Sequence, residues 1–188
     1  MKYIVPIILF LVSCTTQPTG KYFPDGLLSE HEDLDSFVQS WYGKHLASMD
    51  EPSLANATNH EYRFTWLPTF HQPMIFRISI EDEKYIFYVK RTDGAGGYDS
   101  GRIVDNQKIK IPIETARNII SKLESDCQFW GQPTTLDTMG FDGSQWIFEA
   151  SKKGRYHVVD RWSPDDGCFY EIGVELMSLS NLKINEIY

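Results

Sequence analysis

Hydrophobic and polar positions alternate along this chain with two periods. Leu34, Phe37, Val38, Trp41, Tyr42 and Leu46 recur at the three- and four-residue intervals of one helix face. Ser29-x-x-Glu32, just ahead of them, has the form of a capping box, in which two side chains satisfy the free amides of a helix start. The spacing predicts an amphipathic helix with its aromatic face in a core. Residues 50–59 are polar, contain Pro52 and read as a loop. From Glu61 the period falls to two. Residues 61–70 read as a strand up to Pro68, where a proline without an amide to donate points to an edge strand or a strand end. Residues 74–80 and 85–90 predict a hairpin in which Ile80 faces Tyr85, Ile78 faces Phe87 and Phe76 faces Val89. These six share a face. Arg77, Ser79, Ile86, Tyr88 and Lys90 lie on the other, expected to be the wetter one.

Residues 92–101, TDGAGGYDSG, form a glycine-rich loop. The loop lacks the lysine and the helix entry of a phosphate-binding motif and the spacing of a calcium loop, and Asp93 and Asp99 would repel a phosphate, so it reads as a connection. Residues 102–111 supply one or two short strands. After Pro112, where a helix can begin, Ile113, Ala116, Ile120, Leu123 and Cys127 trace a second amphipathic helix. Residues 140–164 read as a turn, a strand, a polar turn at 151–154, a second strand and a stop at Ser163-Pro164. Phe169, Ile172, Gly173, Leu176 and Leu179 mark the face of a third helix. This order predicts a single α+β domain, an antiparallel β-sheet covered on one face by two or three amphipathic helices, rather than βαβ units.

Composition narrows the functional classes. With 188 residues, 41% hydrophobic and 23% charged, the chain suits one globular domain. A formal net charge of -8 disfavours nucleic acid, whose phosphates are bound through clustered Lys and Arg, and points instead to a cationic partner such as a basic protein. At the N-terminus, Met1-Lys2 is followed by an apolar run over 3–12 and by Leu11-Val12-Ser13-Cys14. That run is about half the roughly 20 residues needed to span a bilayer. LVSC resembles the lipobox of bacterial lipoprotein precursors. The resemblance implies a signal peptide over 1–13, cleavage before Cys14, and acyl chains of the palmitate type on its thiol and amino group. Thr15 after that cysteine favours the outer membrane over the inner. Residues 14–28, with Pro18, Gly20, Pro24 and Gly26, read as a tether, leaving 29–188 as the domain. In the oxidising envelope Cys127 and Cys168 are read either as a disulfide or as two buried thiols. No ligand spacing suggests a metal, and no motif a cofactor.

The second hairpin gathers the candidate chemistry: Glu149, His157, Asp160 and Arg161, with His71 as a partner from elsewhere. Side chains alternate across a strand, so turn length decides which groups meet. An even turn puts Ile147, Glu149, Tyr156, Val158, Asp160 and Trp162 on one face and Trp146, Phe148, His157, Val159 and Arg161 on the other. His157 and Glu149 are then separated. A hydrolase would have to use Glu149 with Asp160, or His157 with a group such as His71. The alternative is structural: Arg161 pairs with Asp142 or Asp160, His157 with a backbone carbonyl, and both tryptophans are core.

Tyr62-Arg63-Phe64-x-Trp66-Leu67-x-x-Phe70-His71-x-Pro73, Lys90-Arg91-x-Asp93-Gly94-x-Gly96-Gly97-Tyr98, Phe129-Trp130, Asp142-Gly143-x-x-Trp146-Ile147-x-Glu149 and the string YHVVDRWSP from Tyr156 to Pro164 resemble a family of uncharacterised exported bacterial proteins. The match covers residues 41–182 and carries no activity or ligand with it. The expectation is therefore a lipid-anchored envelope protein with a noncatalytic protein-binding or structural body. An inhibitor or immunity protein against a cationic toxin or lysozyme, and a small hydrolase, are the alternatives.

Overall fold

The computed structural model describes residues 21–136, 140 and 142–188. The chain builds α1 (Glu32–Ser48), β1 (His60–Pro68), β2 (Met74–Glu81), β3 (Lys84–Thr92), β4 (Ile103–Lys110), α2 (Ile113–Ser121), β5 (Ser144–Lys152), β6 (Arg155–Trp162) and α3 (Gly167–Leu179). A single π-turn (Lys122–Asp126) extends α2, and a 3₁₀ turn (Phe129–Gly131) follows. The strands form a six-stranded sheet in the order β4-β3-β2-β1-β5-β6, antiparallel throughout. The expected α+β architecture is present. β1 lies in the middle of the sheet, so Pro68 marks a strand end and not an edge.

Both hairpins have two-residue turns, which fixes their parity. In the first, Glu81 pairs with Lys84, and Ile80–Tyr85, Ile78–Phe87 and Phe76–Val89 are opposite one another as expected. In the second, Lys152 pairs with Arg155 across Lys153 and Gly154, whose φ values of 52° and 75° suit the mirror-image turn that joins twisted strands tightly.

Helices cover both faces of the sheet, where one covered face was expected. α2, the π-turn and α3 pack on Phe64, Trp66, Phe76, Phe87, Val89, Trp146 and Phe148. On the opposite face, Tyr42, Leu46 and Met49 of the α1 region meet Leu67, Ile75, Ile147 and Val158. The side of the first hairpin expected to be wet is therefore buried: Arg77, Ser79 and Lys90 are 7%, 1% and 6% exposed.

The N-terminal boundary also moves. Tyr22, Phe23 and Leu28, placed in the tether by their prolines and glycines, are buried against α1, so the folded body begins by residue 22. Asp35 explains the docking. Its carboxylate accepts the amides of Gly26, Leu28 and Ser29 at 3.0, 2.9 and 3.2 Å. Against the cost of burial, these bonds and one from Gln39 hold its carboxyl below the usual range. Because α1 turns Asp35 and Gln39 inward for this purpose, Leu34 and Phe37 face solvent, contrary to the expected aromatic face. The expected capping box does not form either: His31 is the N-cap without a side-chain bond, and Ser29 Oγ accepts the amide of His31.

The glycine-rich loop is a clamp on α1. Trp41 Nε1 donates to the carbonyl of Gly96, Lys44 Nζ to that of Tyr98 and Ser48 Oγ to that of Ser100. A Cβ at Gly96 would lie 2.5 Å from the carbonyl carbon of Leu67, so glycine is required by close backbone approach. Asp93 is spent within the loop, accepting the amide of Arg102 at 2.7 Å.

Candidate functional site

The register places the hairpin candidates on the faces the parity required. Glu149 is opposite Val158, Ile147 opposite Asp160, and Ala150 opposite His157. Glu149 and Asp160 thus point towards α1, while His157 and Arg161 point the other way. Each has an internal partner. His157 Nε2 donates to the carbonyl of Gln132 at 2.9 Å, and its ring meets Phe129 edge to face. Burial, aided by the charges of Arg155 and Arg161, pushes its pKa down. Arg161 donates to the carbonyls of Pro133, Thr134 and Asp160, pinning the loop after the 3₁₀ turn, where pairing with the carboxylate of Asp142 or Asp160 was expected. Trp146 is core, with no exposure, but Trp162 is only half-buried.

Asp160 accepts the phenol of Tyr42 at 2.6 Å. Burial raises its carboxyl to about 6, against the opposing pull of Tyr42 and Arg161. Burial and the charge of Asp160 in turn push the Tyr42 phenol well up, so the shared proton stays on Tyr42.

Glu149 belongs to a buried ion cluster that sequence reading missed. Arg63 forks onto it, with Nε and Nη2 donating at 2.8 Å each, and Tyr156 adds a third bond at 2.8 Å. Glu51, from the loop after α1, reaches into the same layer. Arg77 Nε and Lys90 Nζ meet it at 2.8 and 2.9 Å and Arg63 Nη1 at 3.4 Å. Arg77 also meets Glu61 at 2.9 Å. Three cations thus balance three carboxylates, and against the cost of burial Arg77, Arg63 and Lys90 hold Glu51 below its usual range. Strand alternation alone shows charges at Arg63, Arg77 and Glu149. The covering residue Glu51 lies in a loop and leaves no periodic signal.

An open cavity lies at the end of the sheet where both termini of the second hairpin arrive. It has a volume of about 600 Å³ and is lined chiefly by Phe70 and His71 after β1, Asp142 before β5, Asp165 after β6, Tyr170 of α3, and Tyr188. Of the candidate catalytic residues, His71 alone lines it; Glu149, His157, Asp160 and Arg161 do not. The ring of His71 meets that of Tyr188 at 5.5 Å. Several bonds fix the walls. Thr69 N and Oγ1 donate to the carbonyl of Gly143 at 2.8 and 2.9 Å, and the amide of Ser144 donates to Ser163 Oγ at 2.8 Å. Gly143 must be glycine here, since a Cβ would strike Ser163 Oγ and the Trp162 ring.

Cys127 and Cys168 form a disulfide, with Cα atoms 5.4 Å apart, tying the end of the π-turn to the first turn of α3. Among the described residues, no group of three or more His, Cys, Asp or Glu side chains is arranged to hold a metal ion, and no helix is long and apolar enough to cross a membrane. Cys14 and the signal peptide over 1–13 lie outside the described residues. Comparison with protein-family models, curated proteins and solved structures gave no match.

Proposed function

We propose that this chain is a bacterial envelope protein, lipid-anchored through Cys14, whose α+β body is a noncatalytic module that binds a basic protein. The observation that carries the reading is the state of the hairpin carboxylates. Glu149 and Asp160 are 0% and 8% exposed, and are held by Arg63 and Tyr42 beneath α1, where a substrate has no access. A hydrolase built on them would need α1 removed. The LVSC sequence, which resembles a lipobox, supports the anchor, and the disulfide suits an oxidising compartment. The net charge of -8 supports a cationic partner such as a toxin or lysozyme, because opposite charge accelerates encounter and excludes acidic competitors.

The anchor and the binding are tested separately. Cys14→Ser should move the protein from the membrane fraction to the soluble fraction; unchanged membrane association would overturn the anchor. Wild-type protein incubated with envelope extract should retain a basic protein, with retention lost at high salt. Retention no greater than that of an unrelated acidic lipoprotein would overturn the binding role.

A further inference from the structure

We infer that the cavity at the end of the sheet receives the side chain of a lysine or arginine presented by a protein partner. The inference rests on the binding role proposed above and gives it a location. Aromatic rings supply the walls: Phe70, Tyr170 and Tyr188. A ring face carries partial negative charge and attracts a cation within about 6 Å of its centroid. Asp142 and Asp165 add two exposed carboxylates to the lining, and among the described residues no lysine or arginine lines the cavity to neutralise them. Burial raises the phenol of Tyr188 against a bond with the backbone of Phe70, and the charges of Glu186 and Asp142 add to the rise. A volume of about 600 Å³ leaves ample room for a long basic side chain and its aliphatic stem.

The surroundings favour a side chain on a protein over a free small cation. The cavity is open, and beside it Phe70 stacks on Tyr98 with centroids 5.9 Å apart, leaving both rings more than half exposed. Exposed aromatics around a recess that accepts one anchoring side chain are the anatomy of a protein-binding hot spot, where Tyr, Trp and Arg are enriched. The walls are also preformed. Gly143 is held by Thr69, and Ser163 by Ser144, so the Asp142 and Asp165 segments are tied to strand ends rather than hung on free loops. A preorganised recess loses less entropy when it is filled.

The test is a nuclear magnetic resonance titration of the full chain in detergent micelles, with aromatic side chains labelled. The probes are the capped tripeptide Gly-Arg-Gly and its counterpart with uncharged citrulline. The arginine peptide should shift the signals of Phe70, Tyr170 and Tyr188, and the citrulline peptide should bind at least about tenfold more weakly, a difference of about 1.4 kcal/mol. Asp142→Asn with Asp165→Asn, both at exposed positions and outside the core, should weaken the arginine peptide similarly. Tyr170→Leu should weaken it while leaving the carboxylates in place. Equal binding of the two peptides, shifts confined to another surface, or no shift at all would overturn the assignment. If the double Asn variant still captured the same basic protein as the wild type, the binding role would stand and the cavity assignment would fall. Arginine binding in the cavity with no basic protein captured would support the cavity's chemistry and remove the binding role.

Discussion

At the scale of single residues, what matters is whether a charge buried beneath α1 keeps its partners. Arg63 is enclosed between Glu149 and Glu51, with no side-chain exposure on either side of the contact. Removing one member of a buried pair leaves an uncompensated charge, which costs far more than the pair itself contributes. Arg63→Met should therefore lower the unfolding free energy by about 3–5 kcal/mol, measured by urea denaturation, and Arg63→Met with Glu149→Leu should recover most of the loss. A double variant no better than the single one would mean that the fork is not the important contact. Asp160 acts in the opposite sense. Its carboxyl is raised from 3.8 to about 6 in the folded chain, so the folded state binds the proton more tightly than the unfolded state. Its contribution is therefore fully present below about 4, declines as pH rises from about 4 to about 6, and stays lost above that. Asp160→Asn keeps an acceptor for Tyr42 and cannot ionise. The stability of wild type minus that of the variant should fall by on the order of 2–3 kcal/mol across that window, and a flat difference would contradict the assignment. Taking the difference is necessary, because Glu51 and Asp35, with lowered values, lose stability as pH falls.

At the scale of elements, turns and close approaches set the geometry. Asp82 and Glu83 connect β2 and β3 with φ values of 47° and 64°, a left-handed conformation that a side chain makes costly. Aspartate tolerates it and glutamate does so less well. Glu83→Gly should raise stability by about 1 kcal/mol, seen as a higher Tm with an unchanged circular dichroism spectrum. Gly96→Ala should act in the reverse direction. The added methyl would meet the backbone of Leu67, and either β1 or the loop must give way, at a cost of about 1–3 kcal/mol. Because Trp41 donates to that same residue, its fluorescence should report the displacement; an unchanged Tm would show that the loop yields freely.

At the scale of the whole molecule, one sheet separates two dissimilar layers. The α2 and α3 side is an aromatic core, while the α1 side combines a smaller apolar cluster with the ion cluster. The disulfide joins two segments of the aromatic side across 41 residues of chain. Closing a loop of that length restricts the unfolded chain and stabilises the fold by about 3–4 kcal/mol. Cys168→Ser should lose about that much in guanidinium unfolding, and a reductant should then have no further effect.

Local pattern carried much of this structure. Alternation and even turns placed every residue of both hairpins on its observed face, because a period of two leaves only one free choice, the turn length. Helical spacing located α2 and α3 through their apolar positions. What sequence alone could not determine was which surfaces meet. Leu34 and Phe37 have the right spacing for a core, yet Asp35 binds the segment before α1 and turns them to solvent. Tyr22 and Phe23 look like part of a linker until α1 covers them. Glu51 and the cavity depend on loops that converge from distant parts of the chain, and such convergence has no period to read. The sequence by itself determined the strands and their alternation, and the two-residue turn seen in the structure then separated His157 from Glu149. The tertiary structure alone decided that both faces of the sheet are buried, since burial depends on long-range packing, to which local periodicity is blind.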